Sequence, residues 1–247
     1  MVCFAVSNLV HCHHEFRRLE FIARHPTSSG FAHASPRLRR AGNASFLLMN
    51  FIVLSSSRGT TFQAVLDAQK RGELSAKCLG LVTDRADRPC IDKAKAAGLP
   101  FVIVTRVNGE SREDFDRRVH EAIVAFGADA QTVIAALGWM FIFSPWFIQT
   151  WKDRIINIHP ALLPKYSGKG MYGHHVHEAV LAAGEKESGV SIHLMDEGVD
   201  TGRVLLQKTC PVLPDDTPES LQQRVQALEK QWYPKVLQMI ESGEVQL

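Results

Sequence analysis

Residues 49–61 read Met49-Asn50-Phe51-Ile52-Val53-Leu54-Ser55-Ser56-Ser57-Arg58-Gly59-Thr60-Thr61. An unbroken apolar run from Phe51 to Leu54, closed by small polar residues, is the pattern of a strand buried on both faces of a parallel sheet. The turn that follows holds a glycine free to take φ > 0 and two threonines able to cap a helix. Phe62, Val65, Leu66 and Gln69 then recur at helical spacing, and Gly72 is placed to end the helix. Free backbone N–H groups at such a helix start form an anion cradle. An ordinary capped strand–helix turn would read the same way. No Gly-Lys-Ser/Thr follows, so the loop is not a Walker loop.

The alternation repeats downstream. Cys78–Val82, Phe101–Val104 and Thr132–Leu137 read as strands. Cys90–Ala97, Arg112–Phe126 and Pro145–Trp151 read as helices, the second with Phe115, Val119, Ile123 and Phe126 on one face. Strand and helix taking turns through short connections predict an α/β fold: a doubly wound, mainly parallel sheet flanked by helices, in a single domain. Ligands of such sheets bind outside the carboxyl ends of the strands. The run Gly168-Lys169-Gly170-Met171-Tyr172-Gly173 matches GxGxxG, but about nine residues separate it from the nearest strand. A dinucleotide fingerprint would close the strand directly. Glu187 lies at the distance of a ribose-binding acid, so a dinucleotide site and a glycine-rich pocket rim both stay open.

Upstream of Met49 the composition changes. Residues 1–48 hold six of the 28 basic residues, all Arg, and two of the 26 acidic ones. They carry +4, while the remainder, 22 basic against 24 acidic, carries −2. They also hold five of the eleven histidines, including His11-Cys12-His13-His14, and their periodicity is weak. Three readings fit: an extension from a start site upstream of the true one, an Arg-rich targeting segment, or an arm that touches anions or metal. The expected organisation is an extension over 1–48, outside the fold, and one domain over 49–247.

Composition excludes several classes. The 247 residues are 45% hydrophobic and 22% charged, which is not the balance of a disordered chain. No uncharged apolar run reaches the length of a membrane span. Five cysteines, an odd number without a CxxC pair, argue against a disulfide framework and for a reducing, cytoplasmic setting. The nearly neutral body offers no basic face for nucleic acid.

The chemistry concentrates further on. Ile155-Ile156-Asn157-Ile158-His159-Pro160 is a short apolar strand with polar residues at period two, so Asn157 and His159 point to one side. Gly189–Leu194 is another strand, and Asp196–Gly202 an acidic loop. An amide, an imidazole and the carboxylate of Asp200 suit metal-free chemistry at a carbonyl carbon. The Asn157 amide N–H stabilises a developing oxyanion, His159 donates or relays a proton, and Asp200 orients the imidazole and favours its charged form. A histidine and an asparagine satisfied structurally at a strand end are the alternative. His174, His175 and His177 are not read as metal ligands, since His177 starts a helix with apolar Val180 and Leu181. His193 is expected in a strand behind the site.

The run Asn157-Ile158-His159-Pro160-Ala161-Leu162-Leu163-Pro164-Lys165-Tyr166 resembles the signature of formyltransferases that use 10-formyltetrahydrofolate. With Arg58–Ala64 and Ser191-x-His193…Asp200, the ordered set is similar to the phosphoribosylglycinamide formyltransferase family of purine biosynthesis, from Met49 to the end. The resemblance implies formyl transfer from that folate to the amine of 5'-phosphoribosylglycinamide, through a tetrahedral intermediate near Asn157 and His159. It implies that Asn157 and His159 are catalytic and that Asp200 supports the histidine. Gly59, Thr60, Thr61 and Glu229 would bind the phosphoribosyl substrate. Arg112, Met140, Phe141, Ile142, Phe143 and Asn157 would meet the folate. Two positions depart from the family: its Gly-Ser-Asn turn is Gly59-Thr60-Thr61 here, and its Met-Arg-Ile-Leu stretch is Met140-Phe141-Ile142-Phe143. The loop over 169–177 is longer than in the best-known members. The resemblance further implies small-molecule substrates, no metal, and a monomer or homodimer.

Three rivals share parts of this pattern. A 10-formyltetrahydrofolate hydrolase would carry Asn-Ile-His-His where this chain has Pro160, and an N-terminal regulatory domain that 1–48 is too short to be. A transferase acting on initiator tRNA would add a C-terminal barrel, whereas this chain stops within a few residues of its last helix, Thr217–Ile240. A binding module without catalysis would keep the cradle but needs no Asn-x-His…Asp set.

Overall fold

The computed structural model describes residues 49–247; the readings made for residues 1–48 lie outside it. Seven strands, β1 (Asn50–Leu54), β2 (Lys77–Thr83), β3 (Phe101–Ile103), β4 (Val133–Ala136), β5 (Ile155–His159), β6 (Glu187–Leu194) and β7 (Val204–Pro211), form one sheet in the order β3-β2-β1-β4-β5-β6-β7. The first five run parallel, while β6 is antiparallel to both β5 and β7. Six helices accompany them: α1 (Thr60–Lys70), α2 (Cys90–Ala96), α3 (Arg112–Ala125), α4 (Pro145–Thr150), α5 (His174–Ala182) and α6 (Pro218–Glu241).

The period of two in β1 decides the layering. Phe51 and Val53 face a core built with Phe62 and Val65 of α1, Ile91 of α2 and Tyr233 and Leu237 of α6. Ile52 and Leu54 face the opposite core, built with Phe115, Val119 and Ile123 of α3 and Phe147 of α4. All four β1 side chains are fully buried. Burial of a side chain of this size stabilises by about 1.5–3 kcal/mol. The sheet is therefore covered on both faces, as the unbroken apolar run predicts. A third cluster joins α5, α6 and β6 through Val176, Val180, Val190, Leu221 and Val225.

Two features position the site. The order of connections reverses between β1 and β4, which opens a crevice at their carboxyl ends. Helix α6 is tied across the sheet by Tyr233, fully buried, whose hydroxyl donates to the Ile156 carbonyl of β5 at 3.0 Å.

The sequence reading departs from the structure in three places. The sequence carries no strand signal for β7, because it is an edge strand whose side chains are mostly open to solvent and carry little apolar alternation. Helix α5 starts at His174, three residues before the expected start at His177. Neither Thr60 nor Thr61 caps α1: Gly59 holds the N-cap position in a left-handed conformation (φ 70°, ψ 35°), with no side-chain cap bond.

Candidate functional site

A cavity of about 580 Å³ opens at the carboxyl ends of β1, β4 and β5. That is the size of a small-molecule site. Ten sequence-predicted residues line it: Gly59, Thr60, Thr61, Met140, Phe141, Ile142, Asn157, His159, Asp200 and Glu229. Two do not. Arg112 is exposed at the first position of α3, and Phe143 is 3% exposed in the core, its ring 4.4 Å from that of Phe147.

The centre is set by strand register. In the antiparallel pairing of β5 with β6, Asn157 stands opposite His193 and His159 opposite Ser191. The Asn-x-His and Ser-x-His motifs thus meet face to face. Ser191, fully buried, donates to the Ala161 carbonyl at 2.7 Å and accepts from the Leu163 N–H and Gln207 Nε2, each at 2.9 Å. It pins the loop that follows His159. His193 donates from Nδ1 to the Leu194 carbonyl at 2.8 Å, which leaves Nε2 to accept from Asn157 Nδ2 at 3.1 Å. Burial pushes the pKa of His193 down, so the ring is neutral and the 3.6 Å approach of its Nε2 to Asp200 is not an ion pair.

His159 is 3% exposed and held from two sides. Nε2–H donates to the Tyr166 carbonyl at 2.7 Å, and Nδ1 faces Asp200 Oδ2 at 3.4 Å. Tyr166 and Asp200 both have left-handed backbones, with φ of 55° and 59°. Such conformations are uncommon outside glycine and gather where a structure over-determines them. Here both of these residues touch the same imidazole. Asp200 also accepts from the Gly168 N–H at 3.4 Å and lies 3.5 Å from Asn157 Nδ2. Gly202 lets this loop close on β6: a Cβ there would fall on the Leu194 carbonyl oxygen.

The second region is the start of α1. Gly59 donates its N–H to Ser57 Oγ at 3.1 Å. The N–H groups of Thr60, Thr61 and Phe62 begin the helix, where no intrahelical acceptor precedes them. No acidic residue stands in the first turn. These groups form an anion cradle. A Cβ on Gly59 would lie 2.9 Å from Cys90 Cβ, so the glycine is required by α1–α2 packing rather than by room for a ligand.

Sequence reading misses Gln222 and Gln226, which line the cavity beside Glu229 on one face of α6, at the i, i+4, i+7 spacing a helical-face count would find. Glu229 is partly buried; desolvation raises its carboxyl pKa to about 7, against a bond from Thr61 that lowers it. His177, 1% exposed, has no partner on Nδ1 among the described residues, and burial lowers its pKa to about 4. Trp139 joins the apolar wall with Met140, Phe141 and Ile142, and its buried Nε1–H finds no acceptor among the described residues. The glycine-rich run 168–173 is a loop on the rim of this cavity. No cluster of His, Cys, Asp and Glu among the described residues has the form of a metal site. No described helix is long and apolar enough to cross a membrane.

Comparison with known proteins places the chain among formyl transferases. A sequence profile of the formyl transferase family matches residues 49–237. The chain is 36% identical over 193 residues to the trifunctional purine biosynthetic protein adenosine-3 of Drosophila melanogaster, covering 77% of this chain but 14% of that protein. It is 33% identical over 199 residues to phosphoribosylglycinamide formyltransferase of Escherichia coli, covering 81% of this chain and 90% of that one. The fold matches the crystal structure of glycinamide ribonucleotide transformylase 1 from Symbiobacterium toebii, with a TM-score of 0.74, 30% identity, and coverage of 81% and 91%.

Proposed function

The chain belongs to the formyl transferase family, and from that membership we propose that it moves a formyl group from 10-formyltetrahydrofolate to the amine of 5'-phosphoribosylglycinamide. One observation carries the reading: the Asn157–His159–Asp200 cluster and the anion cradle of α1 open into a single cavity.

The cavity suits both ligands. The phosphate would take the free N–H groups of Thr60, Thr61 and Phe62, and the sugar hydroxyls would meet Glu229. The wall of Trp139, Met140, Phe141 and Ile142 suits a flat, largely apolar ring system. Exposed Arg112 is proposed to meet the carboxylates of the folate outside the cavity. The folate supplies the activated formyl group.

The protein's own groups then do the following. Asn157 Nδ2, only 3.5 Å from Asp200, gives up that weak contact to hydrogen-bond the formyl oxygen as negative charge builds on it. His159 is bracketed by two acceptors, the Tyr166 carbonyl and Asp200, so an imidazolium there is satisfied at both nitrogens. It can therefore hold the proton that charge development requires. His193 keeps the Asn157 amide turned toward the cavity.

Mixing the protein with 10-formyltetrahydrofolate, with and without glycinamide ribonucleotide, tests the assignment. Cofactor loss that depends on the amine is expected. Equal loss without it would make the protein a hydrolase, and no loss in either case would leave a binding module.

A further inference from the structure

We infer that Thr61 is a positioning residue that turns the Glu229 carboxylate toward the hydroxyls of the sugar, an inference that rests on the cavity being the phosphoribosylglycinamide site. Thr61 Oγ1 donates to Glu229 Oε2 at 3.2 Å, across 168 residues of sequence. It is 7% exposed, at the second position of α1, and both residues line the cavity.

A threonine at a helix start ordinarily spends its hydroxyl on the helix's own N–H groups. This one does not, because Gly59 occupies the N-cap position. Its backbone N–H stays in the anion cradle while its hydroxyl reaches α6. One residue thus fixes the distance between the phosphate end of a ligand and the carboxylate.

No hydrogen bond to Glu229 Oε1 is made among the described residues, and Glu229 lines the cavity. In its ionised form the carboxylate only accepts, so its partners on a ligand are hydroxyls or amines. Lys230 follows it on α6, and the other charged or titratable groups that line the cavity with it are Arg58 before α1, His177 on α5, His159 on β5, and Lys169 and Asp200 on loops. Burial works against the ionised form, and the bond from Thr61 opposes that penalty. Losing the hydroxyl would free the carboxylate to turn and to take up a proton.

Thr61→Val keeps the β-branched shape and the backbone N–H but removes the donor; Thr61→Ser keeps the donor. The first is expected to raise KM for glycinamide ribonucleotide about tenfold, the effect of one hydrogen bond to a charged group. KM for 10-formyltetrahydrofolate and kcat should change little, and Thr61→Ser should restore the lower KM. A second readout needs no activity: the titration midpoint of the Glu229 carboxyl in ¹³C NMR, assigned against Glu229→Gln. It should move up in Thr61→Val and return in Thr61→Ser. Equal KM values and equal midpoints in the two variants would overturn the inference. An inactive wild-type protein would refute the assigned reaction, while the NMR midpoints would still decide whether Thr61 holds Glu229.

Discussion

At the scale of single residues, the centre is a set of polar groups that fold around one imidazole. His159 and Asp200 share one task if the histidine carries charge during transfer. His159→Ala is then expected to lower kcat by about a hundredfold or more, and Asp200→Asn to remove much of the same activity. The double variant should be little worse than His159→Ala, as measured by kcat in a steady-state cycle. Strictly multiplicative losses would mean the pair only supports the structure. Glu229 makes a prediction of another kind. Its folded pKa, about 7, lies above the ordinary 4.5, so the native state holds a proton that the unfolded chain has already lost. That stabilisation is full below the ordinary value and is lost as pH rises through the folded one. Glu229→Gln should gain stability on the wild type across this window, by at most about 3 kcal/mol. His177, with its depressed pKa, has the opposite slope and is common to both proteins, so it cancels in the difference. Denaturant unfolding at about pH 5 and about pH 8 measures the gain; a difference that shrinks with rising pH would contradict it.

At the scale of elements, the site is made by the register of β5 on β6. Ser191 touches no reacting group, yet its hydroxyl makes two hydrogen bonds to the loop that carries Tyr166, from the Leu163 N–H and to the Ala161 carbonyl, and a third with Gln207 of β7. Ser191→Ala orphans the buried Leu163 N–H and Ala161 carbonyl, each worth about 1–3 kcal/mol. The variant should lose about 2 kcal/mol of stability in denaturant unfolding without a change in slope. Its kcat should fall as His159 loses the fixed Tyr166 carbonyl. Unchanged stability would show that water replaces the hydroxyl. Gly59 teaches a related point. The glycine reads as room for an anion, but Cys90 is what a side chain there would strike, so a Gly59 variant would report on helix packing before it reported on phosphate.

At the scale of the whole molecule, the described residues build three core clusters from position 51 onward, β1 begins at Asn50, and the family match starts at residue 49. We propose that residues 49–247 hold the complete fold of the domain. A chain beginning at Met49 should keep the melting temperature and kcat of the full protein; insolubility or inactivity of the shorter chain alone would refute this. The layering, the parallel core of the sheet and the placing of the site at strand ends were all legible beforehand. Each depends on a period of two or 3.6 in buried elements, where burial imposes the pattern. Strand β7 was not legible because an edge strand is weakly held to any pattern.

The amino-acid pattern alone therefore carries the architecture and the side of β5 that the candidate residues share. Apolar periodicity fixes which faces are buried, and Asn157 and His159 share a side because side chains alternate along a strand. The wiring of those residues comes from long-range packing. The pairing of Asn157 with His193, the grip of Tyr166 and Asp200 on His159, and the bond from Thr61 to Glu229 join residues up to 168 positions apart. Contacts of that span follow from sheet register and helix docking, which depend on the packing of the whole core rather than on any local run of residues.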